Sequence, residues 1–228
     1  MKTYHVAHAM KPPQLDGGWD DPAWAAAGII AVDAFHPRSS DHRPRTEARL
    51  LYDSDALYLY FMVSDRYVRA VTMEYQGPTC KDSCVEFFVE PVRGRGYFNF
   101  EFNCVGTALL YYMQDHTIGG GQFAKSTPVD AALFKQVQVF HTLRGPIADE
   151  MPGQVDWPIA CRIPFGLFEQ YLGPLPPRPG QTWHANFYKC ASQVSHPHWA
   201  AWSPIGEALN FHQPSYFGQL RFESGIKG

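Results

Sequence analysis

Between Asp82 and Cys104, apolar and polar residues alternate through two successive runs, "DSCVEFFVE" and "YFNFEFNC", joined by "PVRGRG". A period of two is that of an extended strand, whose successive side chains point to opposite faces. Ser83, Val85, Phe87 and Val89 share one face, and Asp82, Cys84, Glu86 and Phe88 the other. After the turn, Phe98, Phe100, Phe102 and Cys104 oppose Tyr97, Asn99, Glu101 and Asn103. The phenylalanine faces must meet a core, so Glu86 and Glu101 belong to a second, polar face. If the runs pair as a hairpin, the two carboxyl groups are neighbours on one concave surface, close enough to share a ligand or a water. A one-residue slip would drive Glu101 into the core, which burial of an unpaired carboxylate forbids.

The same pattern recurs along the chain. "EARLLYDSDALYLYFMVSD" reads as two strands around the turn Asp53-Ser54-Asp55, with Leu57, Leu59, Phe61 and Val63 on one face. A long connection from Asp65 to Lys81 follows, the kind of loop that carries binding groups on a β scaffold. Further strands are expected in "TALLYYMQ", "FKQVQVFHTL", "DWPIACRI", "TWHANFYKC" and "FGQLRFE". "DGGWDDPAWAAAG" predicts a short N-terminal helix, capped by Asp21, opened by Pro22 and anchored by Trp24. Nineteen glycines and nineteen prolines in 228 residues favour turns over long helices. "GGGQF" is a loop without the strand–loop–helix setting of a phosphate cradle, and "GPLPPRPG" is a rigid connection within one domain, because strands follow it. The expected fold is all-β: a two-sheet antiparallel β-sandwich occupying residues 1–228 as a single domain.

Charge and hydropathy exclude some partners. A net charge of −3 gives no basic surplus for tracking phosphates, so nucleic acid is not expected. No apolar run approaches the ~20 residues of a membrane span, and no membrane partner is expected. The start "MKTYHVAHAMKPPQ" lacks the apolar stretch of a secretory signal, which points to the cytoplasm, or to an extracellular or periplasmic site if a leader has been removed. The five cysteines are odd in number and have no zinc-type CxxC spacing, so they read as buried free thiols.

Taken in order, "LDGGWDDPAW", "LLYDSDALYLYFMVSD", "DSCVEFFVEP", "YFNFEFNCVGT", "WHANFYKC", "WAAWSP" and "FHQPSYFGQL" give a pattern that resembles the family 9 carbohydrate-binding modules, in their stand-alone branch. The resemblance spans nearly the whole chain. It implies a β-sandwich of immunoglobulin-like or jelly-roll type and non-catalytic binding of a mono- or oligosaccharide, with a sugar ring held between two tryptophans. By motif, Trp202 in "WAAWSP" matches the second tryptophan and Glu86 an acidic ligand. This chain has Cys80 where the first tryptophan normally stands, with Tyr75 nearby, and Glu101 where binding members carry an arginine. The implied ligand site comprises Glu86, Glu101, Asn103, Asn186, Tyr188 and Trp202, with Trp199 as a second stacking candidate of which one is core. Loop carboxylates can hold a structural calcium ion in the family; Asp53, Asp55 and Asp65 are the candidate donors, although their spacing specifies no site. His196 and His198 read as loop residues rather than metal ligands. Two other functions fit the residues. One is a carbohydrate-active enzyme using Glu86 and Glu101 as its carboxyl pair. The other is a protein-interaction module that has lost sugar binding.

Overall fold

The computed structural model describes residues 2–119, 122–175 and 179–224. The middle of the glycine-rich loop (120–121) and of the proline-rich connection (176–178) lie outside the described residues. The strands, in chain order, are β1 (Thr3–His8), β2 (Ile30–Ala31), β3 (Ala34–Phe35), β4 (Arg45–Tyr52), β5 (Ala56–Asp65), β6 (Cys84–Glu90), β7 (Tyr97–Asn103), β8 (Ala108–Gly119), β9 (Gln122–Pro128), β10 (Gln138–His141), β11 (Val155–Pro164), β12 (Thr182–Ala191), β13 (His198–Ala201) and β14 (Gly218–Phe222). Two helices accompany them, α1 (Ala131–Phe134) and α2 (Phe165–Leu172).

The molecule is mostly β. Its strands join in one hydrogen-bonded path, β10-β11-β5-β4-β1-β14-β12-β6-β7-β8-β9, with β2, β3 and β13 pairing off it. The path curls so that its two halves share one core. Phe61 of β5 meets Phe187 of β12 with ring centroids 6.1 Å apart, and Leu57, Leu59, Phe61 and Val63 are buried in the same cluster as Phe87, Phe98, Phe100 and Phe102. The hinge of the curl is β1, which pairs through Thr3–Val6 with β14 and through Ala7 and His8 with β4.

Both β1 pairings are parallel, so the sheet is mixed where the sequence led to an antiparallel expectation. Parallel neighbours need a long crossover, and β1 has one on each side: residues 9–44 before β4 and almost the entire chain before β14. In place of the expected N-terminal helix there is one 3-10 turn, Pro22–Trp24, held by i→i+3 bonds. Asp21 caps the turn, accepting from the Ala23 amide at 2.8 Å, and Trp24 is fully buried against Tyr60. Helix α2 escaped the sequence reading; its buried Phe165, Leu167, Phe168 and Leu172 follow a helical spacing that lies directly after a strand.

A buried ion pair links the two halves. On β12, Trp183, Ala185, Phe187 and Lys189 face inward, and the Lys189 ammonium meets the Asp65 carboxylate at the end of β5, 3.1 Å away, with both side chains fully buried. His42 Nε2 lies 2.7 Å from the other oxygen of Asp65. His198 donates from Nδ1 to the His196 carbonyl and accepts from Lys189 at Nε2, 2.7 Å away. Burial would raise the Asp65 pKa, but the Lys189 charge and the His42 hydrogen bond outweigh it and hold the carboxyl well below its usual range. Burial, reinforced by Lys189, pushes His198 down to about 3, so it stays neutral.

These contacts decide the calcium question. Asp65 is neutralised by an ammonium, and both oxygens of Asp53 are engaged, one by the Asp55 and Ala56 amides and the other by the Tyr58 hydroxyl. With only the exposed Asp55 uncommitted, the three residues do not fit a calcium ion. His198 is likewise committed to Lys189.

Removing one partner of the core pair should be costly. Asp65→Asn is expected to destabilise the fold by about 3–5 kcal/mol, because it strands the Lys189 charge in the core. Asp65→Leu with Lys189→Met should recover most of that loss. Urea midpoints for the single and double variants check this; additive losses would show that the pair does not act as a unit.

Candidate functional site

In the β6–β7 ladder Glu86 stands directly opposite Glu101, and Phe87 opposite Phe100 on the reverse face. The two carboxyl groups therefore share one face, as the alternation requires. On the other side of β6, β12 sets Tyr188 beside Glu86 and Cys190 beside Cys84. Strand β13 then places Trp199 beside Cys190. Of these residues Glu86, Glu101, Cys190 and Trp199 line a cleft of about 230 Å³, with Cys84 and Tyr188 buried behind it. Its walls are Cys80 and Ser192 on one side and Leu209, Asn210, Phe211 and His212 on the other.

The face is not open to solvent. The chain after β13 folds over it, and Phe88, Tyr97, Met113, Tyr188, Ala201 and Phe217 make a small second core. Glu86 is 2% exposed and Glu101 5%. Glu101 accepts from Thr79 Oγ1 at 3.0 Å and from Asn99 Nδ2 at 3.1 Å; Glu86 accepts from the Cys190 thiol at 3.1 Å. Burial, the adjacent Cys190 and the charge of Glu101 push Glu86 well above the usual carboxylate range. Burial raises Glu101 to about 7, opposed by its hydrogen bonds from Thr79 and Asn99. Around neutral pH the pair therefore retains a proton, so one carboxyl can donate a hydrogen bond while the other accepts. His212 is pushed down to about 4, mainly by burial, and its Nδ1 hydrogen-bonds the Tyr97 hydroxyl at 2.7 Å.

A second cavity of about 610 Å³ adjoins the first, since Glu101 and His212 line both. Asn99, Tyr111, Phe123 and Lys125 extend it towards the β8–β9 hairpin.

The structure brings together Glu86, Glu101 and Trp199 and sends the other expected residues elsewhere. Trp202 lies in the main core, edge-on to Phe187 at 5.6 Å and against Gly218, where a Cβ would come within 2.4 Å of its ring. Only Trp199 of the two tryptophans reaches the cleft, because the spacing of three puts them on opposite faces. Asn103 is fully engaged, donating to Thr72 and Asp82 and accepting from Val105 and Thr107. Asn186 is tied to Ser203 in both directions. Tyr188 acts behind the cleft, stacked on Phe211 at 4.1 Å and donating to its carbonyl. Tyr75 stacks on Phe134 and donates to Val129, away from the cleft. Leu209–His212 and Cys190 were missed; "FHQPSY" carried the resemblance, but nothing in its pattern shows that it folds over the glutamates.

The model of carbohydrate-binding family 9 matches residues 23–222. None of the curated proteins matches the chain. Among solved structures, the crystal structure of a candidate carbohydrate-binding protein from Bacteroides uniformis ATCC 8492 has a TM-score of 0.84 and 29% identity, covering 97% of this chain and 99% of that one. A family 9 carbohydrate-binding module from Caldicellulosiruptor kristjanssonii, in complex with glucose, gives a TM-score of 0.62 at 15% identity over 100% of this chain and 98% of that one. The same kind of module in complex with cellotriose gives 0.61 at 16% over 99% and 96%. The likeness to these two is one of fold.

The raised carboxyl pair makes stability pH-dependent in a defined direction. Glu101 has an ordinary value of 4.5 and is pushed up to about 7 in the fold. The native state then binds protons more tightly than the unfolded chain. Its contribution is fully present below about 4.5 and is lost as pH rises through about 7. Glu101→Gln should flatten this decline and melt above the parent protein at pH 8 and beyond. Thermal midpoints across pH 5–9 check it; parallel curves for parent and variant would show that the pair carries no excess proton.

Proposed function

The chain belongs to carbohydrate-binding family 9, and we propose that it binds a mono- or oligosaccharide in the cleft between Trp199 and the Glu86–Glu101 pair. The role is non-catalytic. The observation that carries this reading is one half-buried indole and two paired carboxyl groups lining the same small cleft. A pyranose has apolar C–H faces suited to an aromatic ring and a rim of hydroxyls suited to donors and acceptors. Here Trp199 supplies the ring, and the proton that the raised Glu86–Glu101 pair retains lets one carboxyl donate while the other accepts. The complexes of the two fold relatives with glucose and cellotriose support a sugar as the ligand.

At about 230 Å³ the cleft lies below the ~300–1,000 Å³ of typical ligand sites, which suits one sugar ring. A longer ligand continues past Glu101 and His212 into the adjoining cavity. In this reading the halves of the curled sheet serve as the two layers of a jelly-roll-type sandwich, and neither nucleic acid nor membrane is a partner. With one indole, and a thiol, Cys80, rather than a second indole in the lining, the expected affinity is millimolar to micromolar, roughly −4 to −8 kcal/mol.

Calorimetric titration against a panel of mono- and oligosaccharides tests the proposal. Trp199→Ala should weaken binding at least tenfold, about 1.4 kcal/mol, with little change in stability. Trp202→Ala should instead cost about 3–5 kcal/mol of stability, as expected for a large core residue. Undiminished binding by Trp199→Ala, or no binding of any sugar by the parent protein, would remove the assignment.

A further inference from the structure

We propose that the floor of the cleft is also a site for a thiophilic divalent cation, of the zinc class, bound by Cys84, Cys190 and Glu86. The proposal rests on side-chain placement and not on the sugar reading. Cys84 and Glu86 are two residues apart on β6 and so share a face, and Cys190 stands in register with Cys84 on β12. One donor atom from each residue lies within 4.8 Å of the other two. Tetrahedral zinc has bonds of ~2.3 Å to sulfur and ~2.0–2.2 Å to carboxylate oxygen, which places its ligand atoms ~3.5–3.8 Å apart. The cluster thus needs to close by about an ångström at most, and one thiol–carboxylate contact, Cys190 to Glu86, is already at 3.1 Å.

The donors select the metal. Two sulfurs and one carboxylate suit zinc and its heavier congener cadmium, whereas calcium and magnesium take oxygen ligands. Three protein ligands leave a fourth position, and two of them, Glu86 and Cys190, line the cleft. The exposed Cys80 lies on the adjoining wall, with its carbonyl 3.6 Å from the Cys190 sulfur, and its thiol or a water can complete the set.

Without metal the thiols are protonated. Burial pushes Cys84 up to about 12, and Cys190 is raised well above its usual value by its contact with Cys84 and by burial. Binding therefore releases one proton from each thiol, together with that of Glu86 where it carries one. The complex of two thiolates, one carboxylate and one dication has a net charge of −1. Affinity must accordingly rise with pH. Because Glu86 serves both ligands, metal and sugar compete.

The test is titration of the reduced full chain, without sugar, by zinc against a chromophoric chelator and by cadmium with ultraviolet detection. The expected result is one equivalent of either ion, a thiolate-to-cadmium charge-transfer band, and weaker binding at lower pH. Cys84→Ser, Cys190→Ser and Glu86→Gln should each weaken binding at least tenfold, while Cys161→Ser and Trp199→Ala leave it unchanged. Alanine replacements of the same cysteines serve if the serine variants do not fold. Absence of the cadmium band at one equivalent, or its persistence at full strength without Cys190, overturns the site. Loss of sugar binding in Trp199→Ala with zinc binding intact separates this outcome from that of the sugar reading.

Discussion

Everything in this molecule follows from the register of β6 on β7. Phe87 faces Phe100 on the inner side while Glu86 faces Glu101 on the outer, and no other alignment is tolerable. Shifted by one residue, the ladder would set carboxyl groups among Phe61, Phe187 and Phe168 and turn three phenylalanines away from the core. The aromatic packing that stabilises the fold and the acidic pair that makes the cleft are thus two sides of one pairing. Neither can be altered without disturbing the other.

The outer face adds a second constraint. It is roofed by the segment running from Ile205 to Phe217, so the glutamates are nearly as buried as the phenylalanines behind them. Two carboxyl groups in such a place need partners. Thr79, Asn99 and the Cys190 thiol provide donors, and the retained proton removes one of the two charges. In the proposed reading, a ligand rich in hydroxyls would add donors and acceptors to this face.

The two buried acidic centres follow opposite electrostatic logic. Asp65 has an ammonium beside it and stays ionised, joining β5 to β12 through the middle of the core. Glu86 and Glu101 lie side by side instead, and burial, with the Cys190 contact and the charge of Glu101 added at Glu86, favours the protonated form. The first arrangement fixes the relative position of the sheet halves and has no access to solvent. The second lines the cleft, where the proposed sugar or cation would meet it. The same carboxyl chemistry is a structural element in one place and, in the proposed reading, a binding group in the other.

The two-residue alternation by itself determined the strands β4 to β7, the burial of their phenylalanines and leucines, and the common face of Glu86 and Glu101. Those are local consequences of strand geometry, visible in any stretch where apolar and polar residues take turns. Trp24 was legible as an anchor for the same reason: a large indole beside a helix-opening proline must find a core. What the sequence could not decide was set by long-range contacts. Trp199 and Trp202 are equivalent by composition, and only the pairing of β13 with β12 turns the first to the cleft and the second to the core. Asn103 and Asn186 look like ligand groups until their amides are seen to be spent on neighbouring backbone. Lys189 meets its carboxylate only because β12 lies across the core from the end of β5. The roof over the glutamates, the parallel pairing of β1 and the meeting of Cys84 with Cys190 join residues tens to hundreds of positions apart. Only the tertiary structure decided them, because a periodic pattern specifies which way a side chain points but not what lies opposite.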